Sequence, residues 1–154
     1  MNRNSIGLVE LSSIAAGFQV TDAMLKAAEV ELILARGETA AVQSSVDAGA
    51  EAGNFSVIDT FVIPNVHESI FPAIAGTTKV EMLEALGILE AFSVASLIEG
   101  ADAAVKAANV KLIELRLAMA LGGKAFVTLT GEVAAVQSAV DAGAYIIGKK
   151  GLLV

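Results

Sequence analysis

The chain contains no cysteine. Disulfides, thiolate nucleophiles and cysteine-ligated iron–sulfur clusters are excluded together. It has one histidine, His67, which cannot build a zinc site alone. Tryptophan is absent and tyrosine occurs once. Basic residues are scarce: 10 Lys and Arg stand against 17 Asp and Glu, a formal net charge of −7. Nucleic-acid phosphates need a basic patch, and the one adjacent basic pair, Lys149-Lys150, is too small to supply it. Long apolar runs are missing as well. A membrane-spanning helix takes roughly 20 mostly apolar residues. The longest stretch without a charge is the 11 residues between Glu10 and Asp22, and it holds Ser12, Ser13, Gln19 and Thr21. Met1-Asn2-Arg3-Asn4 leads directly into a strand-like run, so no signal peptide is expected.

What is present is aliphatic. Hydrophobic residues make up 55% of the chain, and the mean hydropathy is +0.70. Such a chain is expected to bury apolar surface both within and between subunits.

The sequence also repeats itself. Residues 6–36 align with 86–116 at an offset of 80, and residues 37–50 align with 131–144 at an offset of 94, with 12 of those 14 positions identical. Between the blocks the second copy carries LAMALGGKAFVTLT, residues 117–130, and the first carries nothing. A period this long is a small domain, not a solenoid unit. The expected division is a first domain over 1–78 and a second over 79–154. The missing segment covers the end of one strand, a loop and most of the next strand. Its loss removes hydrogen-bond partners worth on the order of 1–3 kcal/mol per buried group, so the first domain must rearrange or fill the gap.

Each copy reads as strand–helix–strand–strand–helix–strand. In the second, Val94, Ile98, Ala101, Val105 and Ala108 recur at helical spacing, matched by Ile14, Phe18, Thr21, Leu25 and Ala28 in the first. Ser13 and Ser93 stand as N-caps. Val110–Leu117 and Phe126–Thr130 read as a hairpin around Gly122-Gly123. Val133, Val136 and Val140 mark a second helix with Glu132 at its positive end and Gly143 loosening its C-terminal turn. Gly151-Leu152-Leu153-Val154 begins a last strand. In the first copy Ser56–Ile63 is a strand, 68–74 a short helix and Gly76-Thr77-Thr78 a linker. The class is α+β, with helices packed on an antiparallel sheet.

The element order, the Asp22–Ala28 helix segment, the VAAVQSAVDAGA helix and the strand ending Ile63-Pro64-Asn65-Val66-His67 resemble bacterial microcompartment shell proteins. The likeness is to their tandem-domain trimeric class, which includes the propanediol-utilisation T-type proteins. The resemblance implies two tandem microcompartment domains of ferredoxin-like kind. It implies a homotrimer whose six domains form a flat tile, and other shell proteins meeting it edge to edge around encapsulated enzymes in the cytoplasm. Lys26 and Lys106 fall at the family's edge lysine. Asn65 and His67 fall in its Pro-Arg-Pro-His edge segment, with Asn65 replacing the arginine. Leu121, Gly122 and Gly123 fall in the pore loop. In T-type relatives the first domain's pore loop carries a cysteine that holds an iron–sulfur cluster. That loop is absent here, so no cofactor is expected. The second domain is expected to lack the edge element that follows the last strand.

Other readings of these residues are weaker. Gly122-Gly123-Lys124 fails the phosphate-loop pattern, because Ala118 stands at the first glycine and Ala125 follows the lysine. His67 has no nucleophile nearby in sequence. Glu10 and Glu90 recur because the domain is duplicated, and no general acid or base is assigned. The expectation is a structural shell subunit, not an enzyme. The alternative is a small-molecule-binding regulatory trimer with a ferredoxin-like core.

Overall fold

The computed structural model describes residues 5–32, 35–117 and 124–154. The chain forms two compact units, Met1–Val66 and His67–Val154. The segment 67–78, grouped with the first domain on sequence, therefore lies with the second unit.

The first unit runs β1 (Ser5–Leu11), α1 (Ile14–Ala27), β2 (Glu31–Leu32), β3 (Ala35–Gly37), α2 (Thr39–Gly53), a short 3-10 turn at Asn54–Ser56 and β4 (Val57–Ile63). Its strands pair antiparallel in the order β2-β3-β1-β4. Ser13 starts α1, its side chain accepting from Ala16 N–H at 3.3 Å. Val20, Met24, Ala35, Val42 and Val46 form the core, with Val9, Leu11, Val30, Leu32 and Val62 packed around it. This corrects the expected face of α1. Ile14, Phe18 and Leu25 are exposed, and the helix buries Val20 and Met24 instead. Periodicity identifies an apolar stripe; it does not say what covers it.

The second unit runs α3 (Ile70–Ala75), β5 (Ala85–Ala91), α4 (Val94–Ala107), β6 (Lys111–Arg116), β7 (Ala125–Gly131) and α5 (Val133–Gly148). The sheet order is β5-β7-β6, again antiparallel. Ser93 caps α4 as Ser13 caps α1. Phe92 N–H donates to Leu152 O at 2.9 Å and Val154 N–H to Glu90 O at 3.1 Å. The last residues thus begin a strand beside β5, on the side β4 takes beside β1. Both units are α+β, as expected.

Gly143 does not loosen the end of α5, which continues to Gly148. It sits where α5 meets α4: a Cβ there would lie 2.8 Å from Gly100 O. Glycine is needed because two backbones approach closely.

The missing segment is absorbed by trimming one hairpin from its tip. In the second unit Lys111 faces Thr130 and Leu112 faces Leu129. In the first, Glu31 faces Arg36 and Leu32 faces Ala35. The base of the hairpin keeps its register, and Ala35, buried, takes the place of Leu129. The sequence places the break after Arg36; the strand pairing places it between Leu32 and Ala35. The two pairs at the base face each other as in the second unit, so in/out alternation there is intact. The interior strand is therefore shortened to three residues rather than lost.

Candidate assembly edge

Asp102 and Lys106 lie four residues apart on α4, a spacing that places their side chains together on the helix surface. Lys106 Nζ meets Asp102 Oδ2 at 2.6 Å. Asp102 is buried, and its Oδ1 accepts the backbone N–H of His67 at 2.8 Å. One carboxylate thus holds two of the predicted edge residues. The chain reaches His67 through Asn65, whose φ of 52° lies in the left-handed region, a conformation asparagine tolerates. From His67 it enters α3, which packs on β6 and α4.

His67 points outward. Its Nδ1 accepts from Ser69 N–H at 3.3 Å and contacts Ser69 Oγ at 2.8 Å. An accepting Nδ1 places the proton of a neutral ring on Nε2, so the exposed edge of the ring is a donor. With the Lys106 ammonium, 45% exposed at its side chain, this forms a donor-rich surface.

The first unit repeats only part of this. Lys26 Nζ meets Asp22 Oδ2 at 2.6 Å, but both side chains are largely exposed. No backbone N–H from the described residues reaches Asp22. Asp102 was not singled out on sequence as a site residue. Its signal was the recurring Asp-x-x-x-Lys at 22–26 and 102–106, which marks the pair without revealing what joins it.

Leu121, Gly122 and Gly123, the expected pore residues, lie outside the described residues. A cleft in the second unit is lined by Met82, Glu84, Asn109, Lys111 and Thr130 among others. Thr130 Oγ1 there already accepts from Glu84 N–H at 3.2 Å. Among the described residues no group of three or more His, Asp or Glu could hold a metal ion, and no helix is long and apolar enough to cross a membrane.

The BMC domain family matches residues 5–36 and 85–154. The chain belongs to this family. It is similar to the bacterial microcompartment shell protein PduT of Citrobacter freundii, 40% identical over 162 residues that take in 97% of this chain and 88% of that protein. An alignment of that length leaves about a dozen positions opposite gaps in a 154-residue chain, close to the size of the missing segment. Among solved structures, a microcompartment protein from Desulfitobacterium hafniense DCB superposes with a TM-score of 0.93 at 49% identity, over 97% of this chain and 90% of that one. A fused permuted hexameric shell protein from the RMM microcompartment gives 0.60 at 25% identity, over 94% and 80%. The expected resemblance and the pair of microcompartment domains are both borne out.

Proposed function

We propose that this protein is a structural shell subunit of a bacterial microcompartment. Three copies supply the six domains of a tile, which meets other shell proteins along its edges, with Lys26, Lys106, Asn65 and His67 as the edge residues. The observation that carries this reading is the uncovered face of α1. Phe18 is 77% exposed, whereas its counterpart Ile98 is 1% exposed. Ile14 and Leu25 are exposed beside it, whereas Val105 is buried. An apolar stripe of this kind marks a protein–protein contact, and a head-to-tail contact that closes makes a ring.

The names of the relatives support the shell role, and the tandem domains support six domains from three chains. We assign solute passage to the loop holding Leu121, Gly122 and Gly123, whose glycine backbone N–H groups favour polar or anionic solutes. The role is structural rather than catalytic and needs no cofactor. Its setting is the cytoplasm, in a shell enclosing enzymes. Sedimentation velocity and electron microscopy of the purified protein test this. Trimers and six-sided tiles or sheets are expected; a monomer at every working concentration overturns it.

A further inference from the structure

The two repeats act as controls for each other along the first strand. In the second unit β5 faces β7 at every residue from Ala85 to Ala91. In the first, β1 faces β3 only at Ser5, Ile6 and Gly7. Among the described residues no strand lies beside residues 8–11 on that side.

Three differences coincide there. The first is in the backbone. Ser12 N–H donates to Ser56 O on the β4 side, so strand alternation turns the N–H and C=O of Leu11 and Val9 to the open edge. The second is in packing. Val9 and Leu11 are only half-buried, whereas their counterparts Leu89 and Ala91 are 3% and 0% exposed. The third is in charge. Lys124 Nζ meets Glu90 Oε1 at 3.2 Å in the second unit, but among the described residues Glu10, the counterpart of Glu90, meets no ionic or hydrogen-bonding side-chain partner. The counterpart of Lys124 falls within the missing segment.

We infer that the open edge of β1 takes a strand from another protein. That strand is an extended segment running antiparallel to Leu8–Leu11, with apolar side chains at alternate positions and a lysine at its N-terminal end that reaches Glu10. Strand addition to a free sheet edge draws affinity from main-chain hydrogen bonds and selectivity from side-chain positions. Here Val9 and Leu11 offer the main-chain groups and the incompletely covered core. Glu10 fixes direction and register. The template is β7 itself, whose Ala125, Val127 and Leu129 are fully buried and whose approach is led by Lys124. An unpaired edge left open is also a route to self-association, so the test must separate the two occupants.

The probe is a labelled peptide of the sequence Lys124–Gly131, KAFVTLTG, added to the full chain. Binding is read by fluorescence anisotropy and amide hydrogen exchange. Saturable binding is expected, with exchange slowed at Val9 and Leu11. A peptide with its lysine replaced by glutamate should bind about two- to fivefold more weakly, and the Glu10→Lys variant should reverse that preference. Binding that leaves Val9 and Leu11 unprotected, or no binding, overturns the inference. So does binding indifferent to the charge swap. Amides at Val9 and Leu11 protected without peptide, increasingly so at higher protein concentration, would assign the edge to a second copy of this chain and also overturn it. Trimers and tiles can form in any of these cases, so the shell role is tested separately.

Discussion

Asp102 receives the backbone N–H of His67 at 2.8 Å, and this bond fastens the start of the second unit to α4. Asp22, its counterpart, binds the exposed Lys26 and no other side chain or backbone N–H among the described residues. Two identical Asp-x-x-x-Lys motifs therefore carry different energetic weight. Asp102→Ala takes the acceptor from the part-buried His67 N–H and removes a buried carboxylate, and should cost about 1–3 kcal/mol. Asp22→Ala removes a solvent-screened pair and should cost about 0.5 kcal/mol or less. Denaturant melts of the two variants check the contrast; equal losses would remove the special status of Asp102.

The contact between Gly100 and Gly143 makes a second prediction. A Cβ at either position meets the other's backbone, at 3.2 and 2.8 Å, and backbone gives way less readily than a flexible side chain. Gly143→Ala should destabilise by about 1–3 kcal/mol. Gly148, at the end of the same helix, has open space around it, so Gly148→Ala should change stability by no more than about 0.5–1 kcal/mol, in the stabilising direction. Thermal melts that rank the two the other way would show that α4 and α5 can move apart.

Much of this was readable in the sequence because duplication supplied a check on every element. Ser13 and Ser93 fell at the same place in both copies and both cap a helix. The errors share a physical origin in what surrounds a residue. Ile14, Phe18 and Leu25 look like a core face because helical spacing is indifferent to what covers a stripe. Gly143 looks like a helix end because a glycine needed for close packing and one needed for termination are the same letter. Arg36 aligns with Arg116 by identity, yet pairs with Ile6 as Thr130 pairs with Leu86. Sequence similarity cannot see that a hairpin has shortened from its tip.

That shortening can be reversed. Replacing residues 33–34 with the sequence of residues 113–128 restores both arms while keeping the pairs Glu31–Arg36 and Leu32–Ala35 at the base. The restored strand gives Val9 and Leu11 backbone partners and covers their side chains. The melting temperature of the first unit should rise by several degrees, about the effect of 1 kcal/mol in a domain of this size, and exchange at Val9 and Leu11 should slow. If stability falls, the trimmed hairpin already satisfies that edge in a way the second unit does not.

The face of α1 separates assembly from folding. Phe18 contributes little to the first unit's own core, so Phe18→Glu should alter its stability by no more than about 0.5 kcal/mol. If that face is covered in the trimer, the same change buries a carboxylate against apolar surface, and the trimer should dissociate to folded monomers. The matching change in the second repeat, Ile98→Glu, places the charge in a site that is already buried and should unfold the second unit. Circular dichroism and sedimentation velocity on the two variants read the two effects independently. A folded Phe18→Glu protein that remains trimeric would move the subunit contact off α1. An unfolded one would mean that Phe18 packs within the first unit after all.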